Sequence, residues 1–363
     1  MPDPRSRILF LARRYPPHIG GIETHCFQLY TRLKQRSPIR LVANGRTSLL
    51  HLAWFIPYCF WVALWAVLFR RVDVVYFADG VAGSLAPFLR LFTRARFVVT
   101  IYGLELTYSN PVARGLMRRG ARACDRVVVI SEATWRVTEE LGVPAAKIHL
   151  VYVGIEPLEL GEADLERRRR DFEAAHGLRF GRDRILLNFG RMVPRKGVAA
   201  FLEKGMPLLD GDIRLVIAGG GEDWERIARL SREPGLEGRV VMIQAPDDET
   251  IAMLRSSADL FIFPNVPTPN NMEGFGMTHL ESMYAGTPAV AFAVDAIRES
   301  GREGAYLIEP NDYAAFAESV HAHYAAAEDI RQAKGREARD YVRREYSWDR
   351  TAAAYLDFFE GRR

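Results

Sequence analysis

Ile185-Leu-Leu-Asn-Phe-Gly-Arg-Met-Val-Pro-Arg-Lys-Gly197 begins as a short, mostly apolar run and breaks at Gly190 into a loop carrying Arg191 and Lys196. A run this short, without period-two alternation, reads as a strand buried on both faces, as in a parallel sheet covered by helices. Downstream, Ile213–Ala218, Val240–Ile243, Leu260–Phe263, Ala289–Ala293 and Ala305–Ile308 repeat the pattern. Upstream, Arg7–Ala12, Ile39–Ala43, Val72–Phe77, Phe97–Tyr102, Arg126–Ile130 and Ile148–Val153 do the same. Helix-like stretches separate them, so six strand–helix units are followed by six more. The expected fold class is α/β, built from two Rossmann-like domains with parallel sheets.

The chain's 363 residues suit two domains, and its 48% hydrophobic and 26% charged residues are those of a globular protein. Cys26, Cys59 and Cys124 are scattered, with no CxxC pair or metal-ligand spacing, which argues against a disulfide framework and for a reducing compartment. The polar start Met1–Arg7 does not read as a signal peptide, so a cytoplasmic location is expected. The net charge of +4 hides an asymmetry: residues 1–155 carry 21 Lys+Arg and 9 Asp+Glu, a balance of +12 that leaves −8 for the remainder. A basic half suggests an anionic neighbour, either a phospholipid surface or a pyrophosphate-linked acceptor.

Three further segments shape the domain reading. Glu156–Asp183 is polar, and its run Arg167–Arg170 is flanked by acids, which favours a solvated connector over a nucleic-acid patch. The tail carries Trp348, Tyr355, Leu356, Phe358 and Phe359, enough apolar surface to require docking. The expected divisions are 1–160, a linker at 161–182, 183–345, and a terminal helix at 346–363. Leu49–Phe69 has no Asp, Glu, Lys or Arg, holds Trp54, Trp61 and Trp65, and ends at Arg70–Arg71. It is long enough to span a bilayer, but spanning would put two strands of one sheet on opposite sides of it. A buried domain helix and a helix lying in the membrane interface both remain open.

The most informative chemistry is Glu273-Gly-Phe-Gly-Met-Thr-His-Leu-Glu281, which follows the loop Pro264–Met272. Gly274 and Gly276 permit close backbone approach to a ligand, and amides at a helix start near Met277 and Thr278 suit a diphosphate. A carboxylate one turn inside the helix, Glu281, can accept from two adjacent ribose hydroxyls, while Glu273 ahead of the helix reaches a sugar. Arg191 and Lys196 lie at the carboxyl end of a parallel strand, where they can offset charge on a departing diphosphate. In the first half, Pro16-Pro-His18-Ile-Gly20-Gly21 joins strand to helix without the GxGxxG dinucleotide fingerprint, which weakens a nicotinamide enzyme. His18 is placed to line a cleft there.

The glycine pair, the Gly-Arg…Lys-Gly loop and the Glu-x7-Glu block, in this order, resemble glycosyltransferase family 4, the retaining enzymes of GT-B fold. Gly301–Asp312 also resembles that family's C-terminal region. The resemblance implies two facing Rossmann-like domains, a donor site mainly in the second, and a final helix crossing back to the first. It implies a nucleoside-diphosphate-sugar donor and no metal or other cofactor, Arg191 and Lys196 doing the work of a divalent ion. Glu281 would hold the ribose, Glu273 the transferred sugar, and the Phe275, Gly276, Met277 and Thr278 backbone the sugar hydroxyls and phosphate. Gly20 and Gly21 would close over the diphosphate, and the loop at Gln244–Pro246 would contact the base. Retention would proceed by front-face attack, the leaving phosphate oxygen assisting removal of the acceptor proton.

One departure from the family pattern is Val98-Val-Thr-Ile-Tyr102-Gly103-Leu-Glu105, where Tyr102 stands at the position of a histidine. Tyr102 or Glu105 is then expected to position the sugar. The function expected is hexosyl transfer to a glycan or lipid-linked acceptor in cell-envelope polysaccharide or glycolipid synthesis, with peripheral contact to an anionic membrane. Nucleic acid is not expected as a partner. The alternatives are a non-catalytic nucleotide-sugar-binding module, a sugar-nucleotide epimerase and a phosphorylase.

Overall fold

The computed structural model describes residues 7–17, 20–45, 49–70, 72–103, 110–269 and 271–362. The chain divides into two compact units, the first made of Met1–Gly154, Asn270–Phe275 and Tyr346–Arg363, the second of Ile155–Pro269 and Gly276–Glu345.

In the first unit, β1 (Ile8–Ala12), β2 (Ile39–Ala43), β3 (Val74–Phe77), β4 (Arg96–Ile101), β5 (Arg126–Val129) and β6 (Ile148–Leu150) form one sheet. All its pairs are parallel, in the order β2-β1-β3-β4-β5-β6. The helices are α1 (Gly21–Leu33), α2 (Leu49–Phe69), α3 (Gly80–Gly83), α4 (Ala86–Leu89), α5 (Pro111–Ala123), α6 (Glu132–Glu140) and, from the chain's end, α15 (Trp348–Glu360). The chain leaves β1 for β2 on one side and returns past it to β3. Right-handed crossovers therefore put α1 on one face of the sheet and α2 to α5 on the other. The tail helix α15 packs beside α1, where Trp348, Tyr355 and Phe359 are buried. Tyr355 Oη meets Thr100 Oγ1 at 2.7 Å, and Thr100 meets Tyr76 Oη at 2.7 Å, a buried chain of hydroxyls that fixes α15 on β4 and β3.

The Trp-rich segment is α2, and it is neither wholly buried nor free of the core. Phe55, Cys59, Ala63 and Ala66, at helical spacing, sit in the core beneath it with Leu9, Leu11, Val75 and Phe77. Three small side chains let the helix lie close to the sheet. Among the described residues no helix is long and apolar enough to cross a membrane.

In the second unit, β7 (Arg184–Arg191), β8 (Ile213–Gly220), β9 (Val240–Gln244), β10 (Leu260–Phe263), β11 (Ala289–Phe292) and β12 (Ala305–Ile308) form a second parallel sheet, ordered β12-β11-β10-β7-β8-β9. Its helices are α7 (Glu162–His176), α8 (Val198–Lys204), α9 (Trp224–Leu230), α10 (Asp248–Ser257), α11 (Met277–Ala285), α12 (Ile297–Ser300), α13 (Tyr313–Ala325) and α14 (Glu328–Glu345). Residues 161–182, expected as a linker, hold α7, which packs on α10 within this unit. Its arginine run is met by acids: Arg167 pairs Asp164 at 2.7 Å, Arg168 pairs Asp247 at 3.4 Å, and Arg169 pairs Glu173 at 3.4 Å. Gly190 does not end its strand as expected. The ladder continues to Arg191↔Gly220, because a Cβ on Gly219 would stand 2.0 Å from the Gly190 carbonyl oxygen and only glycines allow so close an approach.

A common device sets the amino ends of both sheets. Asp73, Asp125 and Asp259 each precede a strand and accept a hydrogen bond from a backbone amide at the start of the neighbouring strand or just before it. The distances are 2.8 Å from Arg7, 2.7 Å from Phe97 and 2.7 Å from Ile185. Each side chain satisfies an orphan amide and pins register. The carboxyl ends carry the loops with chemistry.

Candidate active site

In open parallel sheets, ligands bind where neighbouring strands send their following loops in opposite directions. In the second unit that point falls between β7, whose chain leaves towards β8, and β10, whose chain leaves towards β11. Arg191 is the last residue of the first strand and Lys196 stands in the turn after it, and the loop leading into α11 follows the second. The backbones of that turn and that loop touch. Gly197, at φ 68°, would bring a Cβ 1.9 Å from the Pro264 carbonyl oxygen, and the Val266 amide donates to the Arg195 carbonyl at 2.9 Å. Lys196 Nζ lies 4.3 Å above the Phe263 ring at the end of β10, which holds the ammonium against the sheet. Gly190, at φ 122°, leaves only 3.2 Å between a built Cβ and Thr278 Cγ2, so the first turn of α11 abuts the end of β7.

Gly276, the N-cap of α11, has φ 79° and sends the chain sharply into the helix. The first turn holds no acid, so the positive end of the helix is not offset by its own side chains. Thr278 Oγ1 is buried and has no hydrogen-bond partner among the described residues. Further along, burial pushes the Glu281 carboxyl up to about 7; Arg255 and Lys196 pull it down, and Asp248 pushes it up. Arg255, which sequence reasoning missed, is buried in α10, and its backbone carbonyl accepts from Thr287 Oγ1 at 2.6 Å. Its place at i+7 from Asp248, on a helix with no motif, offered no local signal. Gln244 ends the edge strand β9 and is exposed; the next residue, Ala245, takes φ 48° and donates its amide to the Gly219 carbonyl. Among the described residues no group of three or more His, Cys, Asp or Glu side chains is disposed to hold a metal.

Glu273 and Phe275 belong to the first unit. A Cβ on Gly274 would stand 2.6 Å from the Tyr102 carbonyl oxygen, and one on Gly103 would stand 2.7 Å from Met272 Sδ. The loop bearing Glu273 is thus laid against the end of β4, joining two candidate residues far apart in sequence. The contact uses the Tyr102 backbone rather than its phenol. The Tyr102 ring is 5% exposed and turns inward, edge-on to His25 at 5.4 Å. Glu273 is buried, and the Phe275 side chain packs on Tyr152 and Tyr346.

The switch point of the first sheet lies between β1 and β3. Arg13 Nε pairs Asp79 at 3.2 Å across it, and Asp79 also caps α3. Gly20 and Gly21 open α1, but Glu23 folds back over them: a Cβ on Gly20 would stand 2.5 Å from Glu23 Oε2, and Arg14 Nη1 donates to Glu23 Oε1 at 3.1 Å. This helix start already carries a buried carboxylate. The signal for these pairs was slight: two arginines at a strand end and a glutamate three residues after a glycine. His18 and Glu105 lie outside the described residues.

Two family models match the chain, Glycosyltransferase Family 4 over residues 19–157 and Glycosyl transferases group 1 over 169–339. The chain belongs to glycosyltransferase family 4. Among curated proteins it is 27% identical, over 305 residues, to the GDP-mannose-dependent alpha-(1-6)-phosphatidylinositol monomannoside mannosyltransferase of Mycobacterium tuberculosis, covering 80% of this chain and 76% of that one. It is 24% identical to the N-acetyl-alpha-D-glucosaminyl L-malate synthase of Bacillus anthracis, covering 79% and 74%. Among solved structures, Anabaena HepE in complex with UDP and glucose superposes with a TM-score of 0.75 at 17% identity, over 98% of this chain and all of that one. The sucrose-phosphate synthase of Thermosynechococcus elongatus superposes at 0.77 with 18% identity, over 98% and 99%. The fold is GT-B, and the protein is a glycosyltransferase that draws on a nucleotide-sugar donor.

Proposed function

We propose that this enzyme transfers a hexose, with retention at the anomeric carbon and without a metal ion, to a lipid-linked or glycan acceptor in envelope glycan or glycolipid synthesis. The observation that carries the reading is the pairing at the β7/β10 switch point. There Lys196, 4.3 Å from the Phe263 ring, and the acid-free start of α11 stand beyond neighbouring strands, with Arg191 closing β7 and Glu281 one turn inside α11. Such a set suits a nucleoside diphosphate: Arg191, Lys196 and the α11 amides face the phosphates, and Glu281 accepts from the ribose hydroxyls. As the bond from C1 to the phosphate oxygen breaks, charge builds on the diphosphate, and the cations stabilise it. The acceptor oxygen bonds to C1 on the face the phosphate leaves, and its proton passes to the departing phosphate oxygen. Glu273 holds the sugar, and Tyr102 acts through its backbone by supporting the Glu273 loop.

Relatives named for a phosphatidylinositol mannoside, and the arginine excess of the first unit, support a lipid-linked acceptor and a cytoplasmic enzyme held peripherally at an anionic membrane. The test is transfer from a panel of nucleotide sugars to lipid extracts and oligosaccharides in EDTA, with the product's anomeric configuration read by NMR. Retained configuration, with loss of transfer in both Glu273→Ala and Lys196→Ala, supports the proposal. Wild-type turnover in both variants, or an inverted product, sinks it.

A further inference from the structure

The outer face of α2 has no covering element among the described residues. Trp54, Tyr58, Trp61, Trp65 and Leu68 are all exposed and recur at spacings of four and three, which places them in one ridge along the helix. Trp54 is 63% exposed, Trp61 66% and Phe69 69%. The surface continues on α4 and the turn after it, at Phe88, Leu91 and Phe92, and then on α5, at Val112 and Leu116. Of 15 large apolar side chains exposed among the described residues, 11 belong to α2, to α4 and the turn after it, and to α5. A soluble monomer rarely shows so large an apolar patch without a use for it.

The charges around the patch decide what covers it. The helix α2 has no charged residue, and its flank is cationic: Arg70 lies 4.6 Å and Arg40 5.9 Å from the Trp65 ring centroid. On α5, Arg114, Arg119 and Arg122 are exposed, and the helix contains no acid. A second copy of the chain laid on this face about a two-fold axis would set the α5 arginines against one another. Lipid phosphates complement the same rim, and tryptophan favours the boundary between headgroups and acyl chains.

We propose that the outer face of α2, α4 and α5 is a membrane-docking surface. In it α2 lies in the plane of an anionic bilayer, its tryptophan ridge at the headgroup–acyl boundary and the α5 arginines on lipid phosphates. The inference deepens the reading of a lipid-linked acceptor and takes its purpose from it, but docking itself needs neither donor nor acceptor. Position on the sheet face opposite α1 leaves the carboxyl-end loops at the rim of the docked surface rather than beneath it.

The experiment is co-sedimentation of the full chain with vesicles of phosphatidylcholine alone or with about 30% phosphatidylglycerol, at about 0.1 M and 0.5 M salt, alongside quenching of tryptophan by brominated lipids. The wild type binds the anionic vesicles, and shallow bromines quench its fluorescence. Trp54→Ser/Trp61→Ser/Trp65→Ser weakens binding about tenfold or more, while its donor affinity stays that of the wild type. Arg114→Gln/Arg119→Gln weakens binding to anionic vesicles alone. Trp61→Ser serves if the triple variant does not fold. Glu273→Ala docks normally while failing to transfer, so loss of catalysis and loss of docking are read separately. Docking with transfer only to soluble acceptors would remove the lipid-acceptor reading and leave the surface standing. No quenching, undiminished binding by the tryptophan variants, or a concentration-dependent dimer abolished by them would overturn the proposal.

Discussion

Glu281 gives the sharpest quantitative expectation. Its carboxyl is pushed to about 7 by burial, and only the ionised form accepts hydrogen bonds from both ribose hydroxyls. With Glu281 on the ribose as proposed, donor binding releases a proton at neutral pH. With a pKa near 7, about nine-tenths of the carboxyl is ionised at pH 8 and about one-tenth at pH 6, so donor affinity should fall roughly tenfold across that interval. The effect on the empty fold has the opposite sign. A carboxyl whose folded pKa lies above its unfolded one stabilises the fold at low pH, and that contribution is lost as pH rises from about 4.5 through about 7. Glu281→Gln, which cannot ionise, should therefore stabilise the apoprotein at pH 8 by up to about 3 kcal/mol, a gain that disappears near pH 4.5. The assay is calorimetric titration with the intact nucleotide sugar, whose diphosphate is esterified at both ends and does not titrate here, together with thermal melts of both proteins. An affinity flat from pH 6 to 8, or an unchanged pH profile in Glu281→Gln, would refute the reasoning.

Other expectations follow from single contacts. Gly197→Ala adds a Cβ where the Pro264 carbonyl stands 1.9 Å away and φ is 68°, so it should cost about 2–4 kcal/mol in a denaturant melt and depress donor binding. Gly274→Ala meets the Tyr102 carbonyl at 2.6 Å and should displace Glu273, lowering kcat about tenfold or more with a smaller change in Tm. Tyr355→Phe removes a hydroxyl from the buried Tyr76–Thr100–Tyr355 chain and should cost about 1–2 kcal/mol, with transfer unaffected when assayed well below Tm.

The strands were legible because a parallel sheet between two helix layers makes each one a continuous apolar run. Leu260–Phe263 and Ile39–Ala43 fall where the runs placed them. Errors cluster where glycine has two uses. Gly190 and Gly219 read as breaks, yet they are what lets β7 and β8 continue side by side. The charged segment 161–182 read as a connector because the polar face of α7 is broad and Phe172 is its one buried residue; its ion pairs with α10 and the N-cap of α10 depend on tertiary placement. In α2 no polar stripe marked the outer face; the signal was the small inner set Cys59, Ala63 and Ala66. Among the candidate residues, Arg191 and Lys196 stood out as cations at a strand end, Arg191 closing β7 and Lys196 in the turn after it, whereas the start of α11 comes only after the long 264–276 loop and was marked by its glycines. The direction of the Tyr102 ring was not readable, since one residue past a strand end can face either the core or the ligand. Arg255 and the Arg13–Asp79 pair depend on tertiary placement alone.

The central claim is that the β7/β10 switch point holds a nucleoside diphosphate, and calorimetric titration with UDP, GDP and ADP in EDTA tests it most directly. One nucleotide should bind with the metal removed, its affinity lost in Lys196→Ala and Glu281→Ala while both variants stay folded. Equal affinity in wild type and variants, or binding that appears only when a divalent ion is restored, would contradict it.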